Sequence, residues 1–242
     1  MRTLLVTGGA GYLGTAIRAL APGAIATWHC TPVDGGVRLD VNDEEATMRC
    51  LLKHGPDVVV HTAYAMGDAV TNVRGAHNVA LAAHRAGSRL IHLSTDLVFD
   101  GEHGAPYSED DEPRPVMEYG QQKLEAEQLV AHAHAEALLV RTSLLYGPPD
   151  GPQEALARRD DVEFHSDEVR SPIRVRDLAA ALLELAHLDF AGILHLAGPE
   201  ALSRSDFAER LRGAPVRSRP TPPGRPRNVA LDSSRAGRLL HF

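Results

Sequence analysis

Cysteine is scarce in this chain. Cys30 and Cys50 are the only two among 242 residues, too few for a disulfide framework, so a reducing cytoplasm is the expected compartment. Long apolar runs are missing as well. No stretch approaches the roughly 18 residues that a membrane span needs, and the mean hydropathy of -0.19 is that of a water-soluble chain. The first residues, Met1 to Thr7, pass straight into a strand pattern, so no cleavable leader is expected. An excess of positive charge is also lacking, and the net charge of -7 argues against nucleic-acid binding. The balance reverses toward the end: from Arg204 onward nine arginines face Asp206, Glu209, Asp232 and the terminal carboxylate. No internal repeat and no long disordered tract is visible.

The 43% hydrophobic share is ample for a core, and the length suits one large α/β domain or one with a small appendage. Arg2 to Thr7, Ala24 to Trp28, Val37 to Leu39, Asp57 to His61, Arg89 to Leu93, Glu136 to Arg141 and Gly192 to Leu196 read as strands. Helical stretches alternate with them, running to Leu20, from Asp43 to His54, about Asn72 to Ala86, Val116 to Glu127 and Arg176 to Leu188. Asn42 and Glu45 fit a capping box for the second of these. Ser203 and Asp206 suit a cap for a helix to Leu211, and Asp232 one for a last short helix. From Tyr146 to Asp161 the chain is rich in Gly, Pro and Asp and loses periodicity, which reads as the start of a smaller lobe. The alternation predicts an α/β fold, a Rossmann-type doubly wound parallel sheet with a small C-terminal lobe. Residues 1–145 form the expected dinucleotide-binding core. Residues 146–242 form mainly the substrate-binding lobe, with 176–198 returning a helix and a strand to the core.

Two patterns carry chemistry. Gly8, Gly11 and Gly14 lie between the first strand and the first helix, where glycine permits a tight turn and lets backbone N–H groups approach a pyrophosphate. Tyr119 and Lys123 are four apart in a proline-free helical stretch, hence on one face. An ammonium beside a phenol favours the phenolate, and such a pair can move a proton to or from a carbonyl near neutral pH. A Tyr-x-x-x-Lys match alone also fits a lysine stem packed on a ring; the rest of the chain separates the two readings.

Thr7 to Gly14, Asn72 to Val79, and Tyr119 with Lys123 resemble the extended short-chain dehydrogenase/reductases. Within that group, His92-Leu93-Ser94-Thr95-Asp96-Leu97-Val98-Phe99-Asp100-Gly101, Arg141 to Gly147, Ser171 to Ala179, Gly192 to Gly198 and Arg225 to Asp232 resemble the dTDP-4-dehydrorhamnose reductases. The matches run in order over nearly the whole chain. The resemblance implies an NAD(P)H-dependent reductase of a keto group on a nucleotide-activated sugar, or on a related small carbonyl compound. Tyr119 is then the proton donor, Lys123 holds the nicotinamide ribose and lowers the tyrosine pKa, and Thr95 hydrogen-bonds the carbonyl. It implies a cofactor site from Gly8, Gly11, Tyr12, Leu13, Gly14, His29, Asp40, Val41, Ala63, Tyr64, Ala65, Tyr119, Lys123 and Thr142. Asp96, Leu97, Leu144 and Arg225 are the implied substrate contacts.

There are departures. Leu144 stands where the family commonly has a Trp, and Leu97 where it commonly has a Tyr. The segment from Gly147 to Arg170 is shorter than the family's and lacks the usual helix over the substrate. Past the second strand, Trp28-His29-Cys30-Thr31-Pro32 offers no acid until Asp34, while Asp40 matches a position near the adenine. His29 and Thr31 can donate to a 2′-phosphate, so NADP(H) is expected over NAD(H). His61 and His92 read as satisfied structural histidines, His132 and His134 do not pair for a metal, and Ser94 lacks a nucleophile elbow. The tail arginines fit either a solvated connection or contacts to a substrate diphosphate. No metal, nucleic acid or membrane is expected, and a homodimer stays open. The competing functional class is a non-catalytic dinucleotide-binding subunit that regulates a partner, as some relatives of the family do.

Overall fold

Strand residues point alternately to opposite faces of a sheet, and this sequence supplies apolar residues to both. In the computed structural model, which describes residues 2–148 and 151–240, one seven-stranded sheet forms the centre. Its strands are β1 (Leu4–Thr7), β2 (Ile25–Trp28), β3 (Val37–Arg38), β4 (Val58–His61), β5 (Arg89–Thr95), β6 (Leu138–Thr142) and β7 (Gly192–His195). They run β7-β6-β5-β4-β1-β2-β3, every neighbouring pair parallel. The helices are α1 (Tyr12–Leu20), α2 (Glu44–His54), α3 (Ala76–Arg85), α4 (Glu118–Ala133), α5 (Pro152–Ala157), α6 (Val175–Leu185), α7 (Arg204–Arg212) and α8 (Ser234–Leu239). None of the described helices is long and apolar enough to cross a membrane.

Leu4, Val6, Val58 and Val60 face α1, α6 and α8, packing on Ile17, Leu178, Leu182 and Ala236. Their neighbours Leu5, Val59 and Leu90 face the other way, onto Leu51 of α2, Val79 of α3 and Val130 of α4. Ile17 and Leu51 are fully buried, so truncating either to alanine costs about 2–5 kcal/mol. The sheet's order turns back between β1 and β4, and the crevice outside their carboxyl ends is where such folds take ligands. β7 returns the chain to the sheet beside β6. The remaining chain builds short pairs: Leu145–Tyr146 with Ile173–Arg174, Val169–Arg170 with Leu202–Ser203, and Glu163–His165 with Arg217–Arg219. Ala157, Phe164 and Ala208 form a small apolar cluster beneath them.

Local expectations need four corrections. The cap of α2 is Asp43, whose Oδ1 accepts from Ala46 N at 2.8 Å; the expected Asn42–Glu45 box does not form. Asn42 reaches across to Thr71 Oγ1 instead, at 2.9 Å. The helix expected to begin at Asn72 starts earlier, as a π-helical turn over Val70–Gly75 that leads into α3. The stretch from Tyr146 to Asp161 holds the short helix α5 where none was expected, with Pro152 in its first turn; residues 149–150 lie outside the described residues, as do Met1, His241 and Phe242. At α8 the N-cap position is Ser233, while Asp232 Oδ1 accepts from Ser234 N at 2.8 Å. Ser203 does cap α7, accepting from Asp206 N at 3.0 Å.

Candidate active site

A cavity of about 950 Å³ opens along the carboxyl ends of β1, β2, β4, β5 and β6. The glycine turn forms one wall, and its three glycines are there for different reasons. Gly8 has φ 68°, and a Cβ on it would sit 2.7 Å from Ala63 N. A Cβ on Gly14 would land on the Gly8 carbonyl. Both positions are closed by the protein itself. Gly11 is different: it is exposed, and a Cβ there would meet only the Gly8 oxygen, at 3.1 Å. Its missing side chain leaves room for a ligand. The first turn of α1 has no side-chain cap, so its N–H groups are free to face an anion. Tyr12 closes that wall, donating its hydroxyl to the Gly147 carbonyl.

The opposite wall is set by α4. A Cβ on Gly120 would fall on the Leu97 carbonyl, so the helix can approach the turn after β5 only because residue 120 is glycine. That approach brings Tyr119 to the cavity beside Thr95 and Leu97. Tyr64 meets the Tyr119 ring edge-on at 6.1 Å. Tyr64 is placed by Asn72 of the π-helical turn, which accepts from Ala65 N at 3.1 Å and donates to Ala65 O and to Gln122 Oε1. Such turns are frequent at functional sites.

Lys123 also lines the cavity. Its ammonium donates to Leu93 O at 2.5 Å and to His92 Nε2 at 3.3 Å. Burial lowers its pKa to about 8, partly offset by Glu127. The sequence expectation for Tyr119 fails here. Burial pushes the phenol pKa up, Tyr64 and Asp96 push the same way, and the opposing charge is that of Arg170, not of Lys123. The ammonium is occupied by the end of β5, so it does not draw out the tyrosine proton.

Gly8, Gly11, Tyr12, Leu13, Gly14, His29, Asp40, Val41, Ala63, Tyr64, Ala65, Thr95, Leu97, Tyr119, Lys123, Thr142 and Leu144 all line this one cavity. Asp96 and Arg225 do not. Asp96 is fully buried beneath the wall and bonded to Arg170, Ser143 and Thr95. Arg225 Nε instead pairs with Glu168 Oε2 at 3.1 Å. His61 is a buried, satisfied histidine as expected, its Nδ1 meeting Thr7 Oγ1 at 2.6 Å, and it also lines the cavity. Its stacked neighbour His92, with ring centres 5.2 Å apart, is only half satisfied: Nδ1 has no partner. His29 Nδ1 stands 3.9 Å from Asp40 Oδ2, so a carboxylate does approach the turn after β2. Sequence reasoning missed Arg170, Ser143 and Gln153, which also line the cavity. Arg170 immediately precedes the Ser171-Pro172 stretch that carried the resemblance, but nothing in the pattern marks a buried arginine.

The chain is 33% identical to the dTDP-4-dehydrorhamnose reductase of Mycolicibacterium smegmatis, over 96% of this chain and 79% of that protein. It is 30% identical to methionine adenosyltransferase 2 subunit beta of Bos taurus, over 97% of this chain and 81% of that one. Among solved structures, the Bordetella bronchiseptica enzyme WbmG in complex with NAD and UDP superposes with a TM-score of 0.82 at 27% identity, covering 99% of this chain and 89% of that chain. The RmlD substrate binding domain matches residues 1–242. Sheet order, glycine turn and family match agree, and the chain belongs to the RmlD substrate-binding domain family of extended short-chain dehydrogenase/reductases.

Proposed function

We propose that this protein is an NAD(P)H-dependent reductase of a keto group on a nucleotide-activated sugar, similar to the dTDP-4-dehydrorhamnose reductases. The observation that carries this reading is that Thr95, Tyr119 and Lys123 share one cavity with the glycine turn. That cavity fits a dinucleotide: Gly11 leaves space at the uncapped start of α1, and its volume is large enough for a cofactor with a small substrate. When bound, the nicotinamide supplies the hydride. Tyr119 gives its proton to the oxygen that becomes an alkoxide, and the Thr95 hydroxyl stabilises charge on that oxygen. Lys123 holds the nicotinamide ribose, turning from its contacts at the end of β5. Leu97 and Leu144 give the substrate side an apolar lining, which suits contact with a sugar ring face or a base edge.

The cofactor preference proposed is NADP(H) over NAD(H). Within the turn after β2, His29 and Thr31 are the donors to a 2′-phosphate, and no arginine assists. Asp40 Oδ2 stands 3.9 Å from His29 Nδ1, and its carboxylate opposes a phosphate there. The preference is therefore small, about 1–2 kcal/mol. Calorimetric titration with NADPH and NADH checks it; tighter NADH binding at neutral pH overturns the preference.

A second reading, a dinucleotide-binding regulatory subunit, draws on the similarity to methionine adenosyltransferase 2 subunit beta. The full Thr95, Tyr119, Lys123 set favours the enzyme. Mixing the chain with NADPH and a panel of dTDP-linked 4-keto sugars, while following nicotinamide absorbance, separates the two. Turnover supports the reductase. Cofactor binding without oxidation on any member of the panel supports the subunit.

A further inference from the structure

The carboxylate that the sequence points toward substrate is held beneath the wall by four donors. Arg170 Nε donates to Asp96 Oδ2 at 2.7 Å and its Nη2 donates to Oδ1. Ser143 Oγ donates to Oδ2 at 2.6 Å, and Thr95 Oγ1 to Oδ1 at 3.1 Å. The guanidinium comes from the short strand Val169–Arg170, outside the sheet, and crosses to the turn after β5. It is itself buried, yet it forms part of the cavity wall. On its far side, Nη1 reaches Glu168 Oε1 at 3.4 Å.

The Thr95 hydroxyl is committed at both ends. It gives its proton to Asp96 and accepts from Leu97 N at 3.2 Å. A hydroxyl has one proton, so Thr95 can donate to a substrate carbonyl only by releasing Asp96. A buried carboxylate short of donors holds such a proton strongly, because hydrogen bonds to an ionised acceptor are the strong ones. A carboxylate already served by a guanidinium fork and a serine gives it up at lower cost. Asp96 also bears on Tyr119, raising its pKa, while Arg170 lowers it. The other groups facing that phenol are Tyr64, which raises it, and Lys123, whose ammonium is turned to Leu93 and His92.

We propose that Arg170 is a positioning residue of the reduction: by gripping Asp96 in a two-pronged pair it releases the Thr95 hydroxyl to the substrate carbonyl. This rests on the reductase reading, and the experiment separates the two. The full chain is assayed with NADPH and dTDP-4-dehydrorhamnose. A wild-type chain inactive on this sugar and on the other dTDP-linked 4-keto sugars overturns the reductase reading, and this inference with it. With an active wild type, Arg170→Met lowers kcat by about 10- to 100-fold while KM stays within a few-fold, because a transition-state contact is lost. Adding Asp96→Asn to Arg170→Met restores kcat to within about tenfold of wild type, because Thr95 then faces no carboxylate. A role in folding alone predicts no such rescue. The inference is overturned by an Arg170→Met kcat within twofold of wild type, by a loss confined to KM, or by a folded double variant no faster than the single one. If Arg170→Met does not fold, the double variant decides alone: a folded protein with kcat more than about tenfold below wild type overturns the proposal.

Discussion

A tyrosine donates a proton only while it holds one, and the surroundings of Tyr119 keep it protonated. Burial raises its pKa and Tyr64 and Asp96 add to the effect, so the group is poised as an acid throughout the working pH range. Tyr119→Phe keeps the ring against Tyr64 and removes the hydroxyl. Turnover then falls by roughly a hundredfold or more, with cofactor affinity little changed; near-wild-type turnover removes Tyr119 from the role. The titrating member of the pair is Lys123, with a pKa lowered to about 8 by burial. A lysine is charged below its pKa, so steps that need the ammonium fail as pH rises through about 8. The alkaline limb of kcat/KM reports the free enzyme, and it is expected there. Lys123→Met loses most activity, and what remains lacks this limb. A wild-type profile flat to pH 9.5 or beyond contradicts the assignment. At this scale the sequence was legible in identity but not in orientation: the i,i+4 spacing put Tyr119 and Lys123 on one face, yet it could not show that Leu93 O and His92 hold the ammonium. Asp96 and Arg225 were misplaced for the same reason. Each is bound by a partner far along the chain, Arg170 for the first and Glu168 for the second.

Elements carry the positions of these groups, and glycines set how closely elements meet. Three glycine substitutions, two in the glycine turn and one in α4, give different outcomes. Gly11→Val puts a branched side chain into the open side of the turn, so cofactor binding is lost while the fold persists. Gly14→Ala collides with the Gly8 backbone carbonyl, so the protein itself is destabilised, by about 1–3 kcal/mol, the usual size of overpacking. Gly120→Ala drives α4 off the Leu97 carbonyl and moves Tyr119 away from Thr95, so kcat drops with cofactor affinity largely kept. Calorimetry on folded protein separates the first from the others; a Gly11→Val chain that binds NADPH normally refutes the role of the turn. The strands were readable because short apolar runs bounded by turn residues allow few alternatives. α5 was not. It has six residues, too few to show a helical period, and it is held by packing on α7 rather than by its own propensity. The cap of α2 was misread by one residue, because Asn42 and Asp43 both suit the position and only a tertiary contact, Asn42 to Thr71, decides between them.

The whole molecule stores two neutral imidazoles under its cofactor site, and that has a consequence for stability. Burial and the Lys123 charge hold the pKa of His61 down to about 3. His92 is held well below the ordinary histidine value by burial, Lys123 and His61, in that order. Unfolded, both would titrate near about 6.5. Above that value neither state binds a proton at these rings, and the native stability is fully present. Between the unfolded and folded values the unfolded chain binds more protons, so stability falls as the pH falls. Each ring contributes a slope of about 1.4 kcal/mol per pH unit within that window, and the two together about 2.7. Shifted carboxylates such as those of Asp100 and Asp111 have their pKa values lowered, and they add the same sign of effect only at lower pH. The window from pH 6 to 5 therefore isolates the histidines. Urea unfolding across it is expected to show the steep slope in wild type. His61→Gln breaks the bond to Thr7 and is less stable at pH 7, yet its slope is shallower by one ring's share, about 1.4 kcal/mol per pH unit, while His92 and His195, whose pKa values burial also lowers, still titrate. Equal slopes in the two proteins contradict the picture of paired neutral imidazoles.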